Sequence, residues 1–324
     1  MKLLFAAITI LTGLWLAPGV ESADAVIAPP RFVTEWGQPG DGDGEFHAPI
    51  GIAMDRHDVL YVTEFHNHRV QKFTRDGKFI GKFSVAEHPG GIAVAADDTV
   101  FVAPMLLHKI VVYDASGKLL REFGRQGSGD GEFNEPGGML FGPDGLLYVA
   151  DQSNHRIQVF DTQGKFIRQF GGYGTAVGSF GGMPTAQGKR FAGPHFVAFD
   201  ERGELYTTEG ALGRIQRLTK LGEPRFHWGR NDTNPGGFGG RETASRNALP
   251  GPIGIALDPR GRVWVSSSNS RVQCFSPQGE YLTGLVDEGS EPGQLRLPHG
   301  LVFDRDGFLY VVDSSNQRIQ KFRP

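Results

Sequence analysis

One cysteine, Cys274, stands in a chain of 324 residues, so no internal disulfide can form. Stability has to come from the core and from the way the fold closes. A basic excess is also missing. The chain has 33 Lys and Arg against 36 Asp and Glu, a formal net charge of −3, which argues against a nucleic-acid partner. There is no Walker loop, no CxxC pair, no GxSxG and no HExxH. The many GxG pairs precede or join strands instead of opening helices, so they are not dinucleotide fingerprints.

Apolar runs are short. The mostly apolar Leu3 to Leu16 follows Lys2 and is too short and too poorly flanked to span a bilayer comfortably. Pro18-Gly19 ends it, and Ala23-Asp24-Ala25 fits a small-x-small cleavage site. Residues 1–25 therefore read as a signal peptide, with a retained anchor as the alternative. The mature chain would start near Val26. Losing Lys2, Glu21 and Asp24 would take the charge from −3 to −2. No cysteine near the cleavage site suggests a lipid anchor. The expectation is a secreted or periplasmic monomer with no stable membrane insertion after cleavage.

Turn-formers are abundant, with 47 Gly and 20 Pro, and Phe is the commonest aromatic at 24. The stretch Asn134 to Gly171 shows the plan: GGMLFG, LLYVA, HRIQVF and KFIRQFG are β-rich runs separated by PDG, DQSN and DTQG turns. The same unit recurs six times, anchored on Pro49, Pro89, Pro136, Pro194, Pro252 and Pro298. Its second strands run VLYVT, TVFVA, LLYVA, ELYTT, RVWVS and FLYVV, and its third strands RVQKF, KIVVY, RIQVF, RIQRL, RVQCF and RIQKF. Cys274 aligns with Val159 and reads as a buried small hydrophobe, with a reactive thiol as the alternative.

The sixth copy has no fourth strand, because only Arg323 and Pro324 follow RIQKF. The spare copy is Arg31 to Gly37, RFVTEWG, which matches KFIRQFG at 165–171. The reading is an all-β, six-bladed β-propeller over residues 26–324, its ring closed by the N-terminal strand completing the last blade. Such closure removes an open sheet edge. The approach Gly129, Gly131, Phe133, Pro136, the LYVAD strand and the NHRIQVF strand at 154–160 make the chain resemble the NHL-repeat propellers. The resemblance covers essentially all of residues 26–324. It implies the fold and leaves function open, because propellers host binding modules and enzymes alike.

In up-and-down blades the tight turns fall on one face. The second-to-third loops and the crossovers fall on the other, where function is expected. The connections 172–193 and 230–251 are long and Gly-rich, and read as functional loops or tolerated insertions. His68, His108 and His155 precede the basic residue of a third strand and read as repeat consensus.

His195 and His299 follow the anchor proline directly and should look into the central tunnel. They read as ligands of one divalent metal, zinc or calcium, or as tunnel-lining side chains bound to water or backbone. Their Pro-His placement resembles the peptidyl-α-hydroxyglycine lyase branch of these propellers, which implies a zinc held by three such His on alternate blades. The second blade has Gly90 at that place, with His88 two residues earlier, about 6–7 Å higher along the strand. That branch also implies an Arg just after the acid of a second-to-third loop and a Tyr nearby; the residues after the acid position here are Phe65, Met105, Gln152, Gly210, Ser268 and Ser314.

Glu64, Asp151, Glu209 and Asp313 end second strands, facing Arg69, Arg156, Arg214 and Arg318. With His66 they read as a ligand-binding face, or as exposed acid–Arg pairs that shape the loops. The function expected first is a binding scaffold for a protein, peptide or glycan. The alternative is a metal-dependent enzyme with a tunnel-mouth His site, similar to peptidyl-α-hydroxyglycine lyase or a lactone hydrolase.

Overall fold

The computed structural model describes residues 27–182, 192–239 and 251–324. The proposed signal segment lies outside the described residues, as do 183–191 and 240–250 of the two long connections. Six four-stranded antiparallel sheets form six blades. Blade 3, the most regular in sequence, runs Pro136–Phe141, Leu147–Asp151, Arg156–Phe160 and Phe166–Gly171 from the axis outward. Inner strands contact each other in order round the ring, and that of blade 6 (Pro298–Phe303) meets that of blade 1 (Pro49–Met54).

The last sheet takes its outer strand from the chain start. Arg31–Trp36 pairs antiparallel with Arg318–Arg323, from Arg31 opposite Arg323 to Trp36 opposite Ile319. Backbone hydrogen bonds that an edge would leave open are thereby used inside the ring.

The core lies between blades more than within them. Phe101, Ala103 and Ile110 of blade 2 pack with Phe133, Leu147 and Phe160 of blade 3 in one cluster. Phe46, Phe73, Phe133, Phe160, Phe180, Phe238 and Phe275 are fully buried plugs. Cys274 is one of these core side chains, and burial pushes its thiol up to about 12, so it is an inert hydrophobe.

Tight turns on the plain face are fixed by Asp. Asp161 Oδ1 accepts from the backbone N–H groups of Gln163 and Lys165, both at 2.9 Å. On the opposite face, the chain enters a blade through a Gly-rich approach loop whose Phe plugs the gap between blades. Gly124, at φ +87°, shows why glycine is needed there: a β-carbon would lie 2.5 Å from the Phe133 ring.

The two long connections open with this same loop. Arg230 bridges Gly237 as Gln126 bridges Phe133, and Tyr173–Gly174 pairs in parallel with Phe180–Gly181. Phe180 and Phe238 do the work of Phe133. Residues 172–182 and 230–239 thus repeat the approach loop with degenerate sequences.

Candidate site at the tunnel ring

All six inner strands break register just after their proline, as between Pro136 and Met139 or Pro194 and Val197. Proline cannot donate to the ladder, and the bulge that follows re-aims the next residue. That residue is Ile50, Gly90, Gly137, His195, Ile253 or His299. These six positions form a ring at the mouth of the tunnel, on the face that bears the second-to-third loops.

His195 is buried, and its Nδ1 lies 3.1 Å from the Pro252 carbonyl oxygen of the next blade. His299 Nδ1 lies 3.1 Å from the Leu297 carbonyl oxygen. A carbonyl only accepts, so each ring carries a proton on Nδ1, and in a neutral ring Nε2 is then the acceptor. Burial pushes His299 down to about 4, with the neighbouring His195 adding to the shift and the Leu297 carbonyl opposing it, so His299 is neutral at ordinary pH. The two imidazoles sense each other from blades that are not adjacent, as side chains pointing toward a common axis do. Ser266 Oγ donates to the His299 carbonyl at 2.5 Å and fixes that backbone.

Neither glycine of the ring leaves its place vacant. A β-carbon on Gly90 would lie 2.3 Å from Met105 Sδ. One on Gly137 would lie 1.8 Å from Gln152 Nε2. Met105 and Gln152 are the first residues after second strands, and each folds its side chain inward over a glycine of its own blade. The ring is therefore Ile50, the Met105 thioether, the Gln152 carboxamide, His195, Ile253 and His299. The pairing of glycine at one repeat position with a long side chain fifteen residues later was the available signal, and sequence reasoning missed it.

His88 does not join His195 and His299. It has φ +57°, and its ring lies 4.9 Å from Phe65 and 5.1 Å from His68, measured between centroids. The left-handed turn before the proline takes it into an aromatic group with His66 and His47, which are 4.7 Å apart. Burial holds the His66 imidazole below its ordinary range, and the nearby His47, His88 and His68 lower it further. His66 remains on the loop-bearing face, within this group and not at the ring.

Among the described residues no group of three His, Cys, Asp or Glu is placed to hold a metal ion. The three-His set is thus not assembled, and a thioether occupies the place of its third member. The residues present do not fit a preformed three-ligand zinc or calcium centre.

The four acids also differ from expectation. Glu64, Asp151, Glu209 and Asp313 are fully buried. Asp151 accepts from Arg156 Nε (2.8 Å), Asn154 Nδ2 (2.8 Å), Gln158 Nε2 (3.0 Å) and the Asn134 N–H (2.7 Å). Asp313 repeats this set with Arg318, Asn316, Gln320 and the Arg296 N–H. Glu64 does so with Arg69, Asn67, Gln71 and the His47 N–H. Glu209 uses Arg214, Gln216 and the Gly181 N–H.

Each arginine continues into the carbonyls of the approach loop, as Arg156 does to Ser128, Gly129 and Glu132 at 2.8 Å. These are clasps that fasten a crossover to a blade, with three or four donors on each carboxylate. Burial pushes the Asp151 and Glu209 carboxyls upward while the donors around them pull the other way.

The consensus histidines have a structural use. His108 Nδ1 accepts the Glu135 N–H (3.0 Å) and His68 Nδ1 accepts the His88 N–H (3.1 Å), linking each blade to the next. Ser270 Oγ and Gln317 Oε1 do the same to Leu297 and Ala48.

A family model for the NHL repeat matches residues 46–73, 133–160 and 295–322. The chain carries NHL repeats. The matched copies are the three whose clasps include an asparagine, Asn67, Asn154 and Asn316. The chain is 32% identical to peptidyl-glycine alpha-amidating monooxygenase of Mus musculus over 140 residues, 40% of this chain and 14% of that protein. It is 32% identical to NHL repeat-containing protein 3 of Mus musculus over 132 residues, 39% of this chain and 34% of that protein. The matches thus span a minor part of these relatives.

Among solved structures, a gluconolactonase of Xanthomonas campestris aligns with TM-score 0.60 and 16% identity, over 95% of this chain and 99% of that one. Virginiamycin B lyase of Staphylococcus aureus aligns with TM-score 0.57 and 16% identity, over 90% of this chain and 98% of that one. At these identities the likeness concerns the fold alone.

Proposed function

We propose that this NHL propeller is a secreted or periplasmic binding protein that holds a peptide over its tunnel ring. The observation that carries this is His299: a neutral imidazole tied through Nδ1 to a carbonyl, so that Nε2 is an acceptor at a place set by the fold. Such a group accepts a hydrogen bond from an N–H or O–H donor. Peptides supply N–H donors at regular spacing, and the amidating monooxygenases that match part of this chain are named for a peptidyl substrate. A protein or glycan ligand is the broader form of the same reading. The aromatic group of Phe65, His66, His47 and His88 borders the site on blade 1 and offers ring faces to an apolar side chain.

A metal-dependent lyase or lactonase reading needs a metal ligand set that the described residues do not provide. The test is calorimetric titration of a panel of short synthetic peptides, with His299→Ala as the control. Peptide binding that weakens at least tenfold in the variant supports the tunnel site; binding that is unchanged removes it. Metal analysis of the purified protein runs alongside. Stoichiometric zinc or calcium lost from a His195→Ala, His299→Ala double variant would restore the enzyme reading.

A further inference from the structure

Gln152 is the least satisfied polar side chain of the ring. It is 3% exposed, and its Oε1 is buried without a hydrogen-bond partner. A buried carboxamide left unpaired destabilises a fold, and core positions that need only volume take Leu or Met. Blade 2 shows that alternative: Met105 fills the matching place over Gly90 with a thioether. The same backbone thus accepts an apolar filler, and blade 3 carries a carboxamide instead. Blade 3 also leaves His155 Nδ1 and Arg168 Nε unpaired, but Gln152 is the one of the three that belongs to the ring.

The ring is also sided. Ile50 and Met105 make blades 1 and 2 apolar, and Gln152, His195 and His299 bring the polar atoms to blades 3, 4 and 6. The residues that follow the second strands shrink in the same sense, from Phe65, Met105 and Gln152 to Gly210, Ser268 and Ser314.

We infer that Gln152 is the specificity-determining residue of the tunnel ring, reading an amide group on a ligand whose apolar neighbour rests on Met105. A carboxamide presents an acceptor and two donors at one point, and its complement is a group that also has both. An amide meets that requirement; an ester, which lacks the N–H, does not. The inference rests on the tunnel-ring reading and adds the class of group recognised.

The test compares N-acetyl-phenylalaninamide with N-acetyl-phenylalanine methyl ester by NMR titration of wild type, Gln152→Met and His299→Ala. Wild type should prefer the amide by about tenfold or more, as sites built to pair an N–H do. In Gln152→Met that preference should fall to within about twofold, while the melting temperature of the ligand-free protein rises by about 2 °C because an unpaired group has gone. A purely structural glutamine would give the opposite, a lower melting temperature and no change in preference.

Equal affinity of wild type for amide and ester, or no binding of either, overturns the inference. So does an amide preference kept by Gln152→Met. If His299→Ala weakens binding while Gln152→Met keeps the preference, only the role of Gln152 is lost. If neither variant changes binding, the tunnel ring itself is wrong.

Discussion

Two sets of buried polar groups lie on the same face, and they are built in opposite ways. Each clasp closes on itself: Asp151 meets four donors and Arg156 ends on three backbone carbonyls. The tunnel ring does not: the carboxamide oxygen of Gln152 meets nothing among the described residues, and His299 is held through Nδ1, which leaves Nε2 clear of that contact. Charge alone would have ranked them the other way, because the clasps hold the acids and arginines. Saturation of hydrogen bonds is the better guide to which polar groups are scaffold and which can meet a ligand.

The largest effect should come from the closing strand. Deleting residues 27–36 strips the outer strand from blade 6 and exposes Arg318–Arg323 as an edge. Size-exclusion chromatography should show loss of the soluble species, and an unchanged elution volume would refute the role of closure.

Next comes a clasp. Arg156→Ala leaves Asp151 buried without its cation and releases three carbonyls, which should cost about 3–5 kcal/mol in urea unfolding. A cost under about 1 kcal/mol would mean the clasps are ornamental and would erase the contrast with the ring.

The ring predicts a pH effect of defined sign. The folded state holds His299 at about 4, below the 6.5 of a free imidazole, so on acidification the unfolded chain takes up the proton first. The His299 contribution is therefore lost as pH falls from about 6.5 to about 4. In melting experiments the gap between His299→Asn and wild type should shift in favour of the variant over that window. A gap independent of pH would show that His299 titrates normally.

The smallest effect separates two consensus histidines. His108→Ala removes the acceptor of the Glu135 N–H and should cost about 1 kcal/mol. His155 Nδ1 is buried without a partner, and burial lowers its pKa, so His155→Ala should cost less despite lost packing on Tyr173. Equal costs would place the value of both residues in packing and not in the link between blades.

Much of the fold was legible in the chain because each blade is specified locally. Period-two runs, Asp-Gly and Gln-Gly turns and a repeated anchor proline leave few options, and the missing outer strand of copy six has one match, at Arg31 to Gly37. The acids were legible as positions and as partners of the arginines, but were read as exposed, where the structure buries them. Sequence shows that Asp151 precedes Arg156 by five residues, yet not that the arginine reaches back to a loop at 128–132. The approach loops that open the two long connections were hidden for a related reason. Phe180 and Phe238 replace Phe133 without keeping its surrounding motif, and only burial shows that they do the same job.

By itself, then, the sequence determined the number of blades, their order, the closure and the two His that start inner strands, since these follow from short-range patterns repeated along the chain. Tertiary structure alone decided what completes the ring. Whether Gly90 and Gly137 leave gaps or make room depends on where side chains fifteen residues later fold. That turns on packing at the tunnel mouth, where glycine lets Met105 and Gln152 come in against the backbone.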